Sequence, residues 1–167
     1  MDKRTRQYIG LFSAILAYYV IHEGAHFVYA VCAGVFKQIK FMGLGMQIDV
    51  YTDQMTSEQL GVFCIVGSIA TAIVAYVLVA LADKIKVISS KVLKACMYYI
   101  TIALLLLDPL YLSLLCGLFG GGDMNGISLL MSEMAARIGY GILFIVNIVV
   151  FFKVVLPKYK EGFERQG

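Results

Sequence analysis

Residues 8–36 read YIGLFSAILAYYVIHEGAHFVYAVCAGVF, an apolar run of membrane-spanning length interrupted by one polar cluster, His22-Glu23-Gly24-Ala25-His26. That cluster contains both histidines of the chain. On a helix, residues i and i+4 lie one above the other, so both imidazoles reach a single Zn²⁺ while Glu23 projects beside them. Two histidines and a carboxylate around zinc, with a fourth position open to water, form a hydrolytic arrangement. A charged side chain near the bilayer centre costs about 2.5–3.5 kcal/mol on insertion scales, so a compensating role is expected here. The plainer reading is a pair of satisfied core histidines with an incidental Glu between them. Motif, helix context and exclusive histidine usage weigh against it.

Composition sets the class. Sixty per cent of the 167 residues are hydrophobic and mean hydropathy is +0.83, which points to a polytopic membrane protein. One membrane domain fills residues 1–167, leaving no room for a soluble catalytic, peptide-binding or nucleotide-binding module. The net charge of +3 comes from Lys and Arg between apolar runs, so it reports topology rather than nucleic-acid binding. Lys3, Arg4 and Arg6 before an apolar stretch resemble a signal peptide, but the polar HEGAH cluster interrupts any such core. A retained first helix is expected.

Hydropathy predicts an all-α polytopic membrane protein with about four transmembrane helices, near 8–33, 60–82, 92–119 and 127–156. Each covers the roughly 20 residues a bilayer needs. Lys3, Arg4 and Arg6, then Lys84, Lys86, Lys91 and Lys94, then Lys153, Lys158, Lys160 and Arg165 fall on alternate sides of these spans. Asp49, Asp53, Glu58, Asp123 and Glu133 mark the other side, with Lys37 and Lys40 dissenting. The positive-inside rule then places both termini in the cytoplasm of a multi-pass protein, most simply in the plasma membrane.

Residues 37–51 have a Gly43-Leu44-Gly45 centre with polar and apolar residues alternating on both flanks. This predicts a short hairpin-like or re-entrant segment, although an irregular interfacial loop also fits. A hairpin edge beside a metal would let an extended substrate add as a strand, which makes Gly43 and Gly45 candidate substrate-binding positions.

A third ligand must come from elsewhere. Asp123 follows Gly120-Gly121-Gly122, whose flexibility lets the backbone approach a metal closely. Its depth also fits. His22 lies about 21 Å beyond Tyr8 at 1.5 Å per residue, and Asp123 follows the third span at its outer end. Asp108, in Leu107-Asp108-Pro109, is the alternative ligand. It could instead orient a histidine from the second shell of groups, or cap a break at Pro109.

In this order of motifs the chain resembles the site-2 protease family of intramembrane zinc metalloproteases over most of residues 8–150. The resemblance implies Zn²⁺ held by His22, His26 and Asp123, with Glu23 activating the water that cuts a membrane-embedded or membrane-proximal peptide. The family's Asn-Pro-Asp-Gly reads here as Gly121-Gly122-Asp123-Met124. Its Gly-Pro-x-x-Asn pattern resembles Gly67-Ser68-Ile69-Ala70-Thr71, which puts Thr71, or in its place Asn125, at a substrate-holding position. Two other classes stay open. One is a zinc-dependent membrane hydrolase acting on a lipid or lipoprotein, and the other is a non-catalytic metal-binding membrane protein. Di-iron membrane hydroxylases need more histidines than two. Cys32, Cys64, Cys96 and Cys116 lack metal-type spacing and read as free thiols. Tyr18, Tyr19 and Tyr29 lie near the motif, and Glu133 and Arg137 are spaced to pair on one helix face.

Overall fold

The computed structural model describes residues 2–42, 45–118 and 122–164. Four helices in it are long and apolar enough to cross a membrane: Lys3–Cys32, Ser57–Ala80, Lys91–Leu118 and Glu133–Glu164. Their elements are α1 (Lys3–Cys32), α2 (Ser57–Ala80), the short α3 (Ala82–Lys86), α4 (Lys91–Leu110), α5 (Asp123–Ile127), α6 (Glu133–Val150) and α7 (Leu156–Glu164). Each long helix starts where a side chain satisfies its free N–H groups. The Asp2 carboxylate accepts from Thr5 N–H at 2.7 Å. Thr56 and Gln59 form a reciprocal capping box, and Ser90 and Ser132 accept from Leu93 and Ala135. The fourth span therefore begins at Glu133, six residues later than the expected 127. The apolar run through Met131 imitates a span, but the cap at Ser132 fixes the true start, and residues 128–131 form a turn.

The far end of that span also departs from expectation, continuing to Glu164 instead of stopping at 156. Both prolines of the chain lie beside a widened π turn, one at Tyr111–Leu115 after Pro109 and one at Phe151–Val155 before Pro157. Proline cannot donate to the carbonyl four residues back, and π turns absorb such breaks without ending the helix. At Pro109 the released carbonyl belongs to Leu105. The Asn147 amide of α6 takes it at 2.6 Å, and the Tyr76 hydroxyl of α2 donates to the same side chain at 2.6 Å. One missing N–H thus ties three helices together.

Between α1 and α2 the chain forms an antiparallel hairpin, β1 (Phe36–Met42) with β2 (Gly45–Val50), in the register Ile39↔Ile48 and Phe41↔Met46. Paired strands replace the irregular loop that the sequence also allowed. Gly43 lies outside the described residues. β2 packs on α1 and buries Ile48 and Val50, whereas Ile39 and Phe41 of β1 are exposed.

Two apolar clusters organise the bundle. One joins Ala30, Ile48, Phe63, Leu112 and Met124 at the hairpin end. The other joins Ala75, Leu104, Leu105, Val155 and Tyr159 at the end that holds both chain termini. There α3 meets α7 through Lys158–Asp83 at 2.6 Å and Lys86–Glu161 at 2.9 Å. Outward faces stay apolar. Ile138, Ile142, Ile145, Val149 and Phe152 make one exposed stripe of the kind that a lipid environment covers. Replacing Asn147 with Leu strands the Leu105 carbonyl and the Tyr76 hydroxyl. Unfolding of the purified protein in detergent should show a loss of about 1–3 kcal/mol or more. Val146→Leu, on the exposed face one residue away, should be near neutral.

Candidate metal centre

His22 and His26 lie on one face of α1 and are 6% and 3% exposed. Their Nε2 atoms face each other at 3.2 Å. The Asp123 Oδ2 atom lies 3.1 Å from His22 Nε2 and 3.6 Å from His26 Nε2. Zinc–ligand bonds of about 2.0–2.2 Å at tetrahedral angles put neighbouring ligand atoms roughly 3.3–3.6 Å apart. The observed triangle matches one face of such a tetrahedron, so these three residues can hold a metal ion.

Asp123 reaches the histidines because α5 begins at Gly122, whose φ is +45°. A Cβ there would also press to 2.8 Å from the Tyr111 hydroxyl, so glycine meets both demands. Close packing then draws α5 against α2, since a Cβ at Gly126 would fall 2.2 Å from Cys64 Sγ. Burial raises the Asp123 carboxyl, but hydrogen bonds and charge from His22 and His26 more than offset this and hold it down to about 2. The group is thus a carboxylate at neutral pH, the form that ligates.

Asp108 sits on the opposite edge of the His22 ring. Its carboxylate is 3.3 Å from His22 Nδ1 and accepts hydrogen bonds from the Tyr18 and Thr71 hydroxyls. With Nδ1–H donated to Asp108, His22 presents an Nε2 lone pair to the centre. Asp108 thus lies across the His22 ring from the three grouped ligand atoms, the place from which a carboxylate orients a ligating imidazole. Tyr18 stacks on the same imidazole with ring centroids 5.2 Å apart. The second histidine is held differently. Phe63 packs on the His26 ring at 4.7 Å, and His26 Nδ1 has no hydrogen-bond partner among the described residues.

The substrate-holding positions separate. Thr71 is only 1% exposed, its hydroxyl donates to Asp108, and it does not line the cavity at the metal centre. Asn125 is exposed on α5 and does not line the cavity at the metal centre. Gly45 does line it. That open cavity, of about 410 Å³, is walled by Glu23, Gly45, Ile48, Phe63, Tyr111 and Asp123, among others. Glu23 Oε2 accepts from the Ile48 backbone N–H at 3.1 Å, which pins the carboxylate to strand β2.

Gly67, the first residue of the Gly67–Thr71 motif, is a wall of the centre. A Cβ on this α2 glycine would sit 2.6 Å from His26 Nε2 and 2.7 Å from His22 Nε2. Its spacing suggests only a small face for helix contact.

A single added methyl at Gly67 therefore invades the space that the ion requires. Metal analysis of purified Gly67→Ala should show at least a tenfold loss of affinity with helical content unchanged. Gly139→Ala, which meets nothing within 4 Å, should keep wild-type occupancy. His22→Ala and Asp123→Ala should abolish binding, and Asp108→Asn should weaken it about 10–100-fold. Comparison with protein-family models, curated proteins and solved structures finds no match.

Proposed function

We propose that the chain is an intramembrane zinc metalloprotease of the site-2 protease type, cutting peptide bonds in or near transmembrane segments. One observation carries the reading. Three ligand atoms on a tetrahedral face share an open cavity with Glu23 and with the edge of strand β2.

Zinc in this position supplies Lewis acidity, lowering the pKa of a water and polarising a carbonyl. The protein's own residues do the rest. His22, His26 and Asp123 hold the ion, and Asp108 fixes the tautomer and plane of His22. Glu23 does not share the ligand triangle, which leaves it for proton transfer. It takes a proton from the attacking water as the new C–O bond forms. It then delivers that proton to the amine nitrogen as the C–N bond breaks. The N–H of Ile48 holds one Glu23 oxygen in place for both transfers. A substrate segment that has lost its helix presents free main-chain N–H and C=O groups, which the edge of β2 can bind by strand addition. A lipid has no repeating main-chain N–H and C=O groups to add as a strand, so the strand beside the centre favours a peptide over a lipid substrate.

Glu23→Gln keeps the shape of the side chain but removes the base. It should bind wild-type amounts of zinc and lose cleavage of a membrane peptide by at least about 10²–10⁴-fold. Substantial turnover with full zinc would leave the centre without a proteolytic role, and turnover of phospholipid but not peptide would favour the lipid hydrolase.

The orientation belongs to the same proposal. The Lys and Arg pattern puts both termini in the cytoplasm and the hairpin towards the outer face of the plasma membrane. With Cys32 and Cys96 replaced by serine, a cysteine at Thr52 should react with an impermeant thiol reagent added outside cells. One at Ser89 should react only after permeabilisation, and the reverse pattern would turn the centre towards the cytoplasm.

A further inference from the structure

At the opposite end of the bundle from the hairpin, α1, α4 and α7 enclose a second cavity of about 370 Å³. Its rim carries Lys3 and Arg6 from α1, Lys91 from α4 and Lys160 from α7. Among the described residues Glu164 is the one carboxylate in the lining, and it stands 3.9 Å from Lys160. Among the described residues Lys3 and Lys91 enter no ion pair. Directly behind the wall is a further cation. Lys94 is fully buried, donates to the Gly162 carbonyl, and lies 5.5 Å from the ring of Phe163, which lines the cavity. A buried ammonium with no carboxylate partner among the described residues gains from an anion placed nearby.

The floor is apolar and aromatic, formed by Ala95, Tyr98, Tyr99 and Phe163. From Gln7 and Tyr99 the surface continues into an adjoining groove lined by Tyr8 and Leu11, with Arg4 at its mouth. That groove runs along the outward side of α1, where Tyr8, Leu11 and Phe12 are exposed. A cluster of cations at the end of a bundle, opening onto an apolar groove along the helices, matches one ligand shape: a phosphate headgroup with a hydrocarbon tail.

We propose that this cavity binds an anionic phospholipid, with its phosphate among Lys3, Arg6 and Lys91 and an acyl chain along the Tyr8–Leu11 groove. Basic pockets between membrane helices recognise anionic headgroups by charge, and each cation near the surface adds to the attraction. The site lies on different residues from the metal centre and does not depend on what that centre does. Occupancy would tie α1, the helix that carries both histidines, to α4 and α7.

The test uses the full chain in an uncharged detergent, with thermal denaturation followed as lipid is added. Phosphatidylglycerol should raise the midpoint by several degrees, and phosphatidylcholine should leave it unchanged. Lys3→Gln/Lys91→Gln should weaken the phosphatidylglycerol response about 30-fold in concentration, the fold-change for losing two cations at about 1 kcal/mol each. Lys40→Gln, which removes one charge from the exposed hairpin, should respond as wild type. Should the double variant fold poorly, salt gives the answer on the wild type alone. At about 1 M, where the screening length is about 3 Å, the lipid effect should collapse. An equal response to phosphatidylcholine overturns the proposal. So does a response that survives both salt and substitution, and so does full stabilisation by inorganic phosphate alone, which would make the cluster a free-phosphate site.

Discussion

Asp108 has to be satisfied inside a helix bundle, buried away from bulk solvent, and the centre of the molecule is arranged around that need. A carboxylate at 2% exposure is tolerable only with hydrogen-bond donors on every side. Two neighbouring helices supply them: Tyr18 and His22 from α1, and Thr71 from α2, converge on Asp108 of α4. The same contacts set the plane and tautomer of His22. Along each helix this polar layer falls between the two apolar clusters, with Phe63 and Leu112 on one side and Ala75 and Leu104 on the other. Apolar packing fixes the helices, and the carboxylate fixes the imidazole.

The second constraint is one of space. Gly67 lets α2 come close enough for its backbone to roof both Nε2 atoms, and Gly126 lets α5 come close enough to bring Asp123 to them. Neither glycine supplies a chemical group. What they supply is proximity, and in a close-packed interior a missing methyl is the only way to obtain it. The cavity therefore opens on the side away from α2, towards strand β2, and that is where Glu23 is held.

The two π turns show how the same bundle keeps long helices continuous through proline. Each widening lets the helix run on past the proline, and at Leu105 the freed carbonyl is satisfied from a different helix. Asn147 is thus a buried polar residue whose role is set by a proline 38 positions earlier in the chain. A linear reading offers no link between them, because the bond exists only once α4 and α6 are packed.

Periodicity and capping chemistry are local, and what they govern was legible in the sequence. His22 and His26 share a face because helical geometry puts i and i+4 together. A glycine run before Asp123 marks a backbone free to bend, whereas hydropathy put the first three spans near 8, 60 and 92 and the caps at Asp2, Thr56 and Ser90 start their helices earlier. Residues 127–131 misled because hydropathy measures composition, whereas the cap at Ser132 decides where hydrogen bonding begins. Other features depend on which atoms meet across helices. Asp108 became the support of His22 and not a ligand because α4 approaches the Nδ1 edge of the ring. Thr71 turned inward to that carboxylate, and Asn125 turned away from the cavity. Gly67 became a wall of the centre. Sequence determined which residues could bind a metal and roughly where the helices run. Tertiary packing alone decided which carboxylate faces the Nε2 atoms, because that choice rests on interhelical distances of a few ångströms that no local pattern encodes.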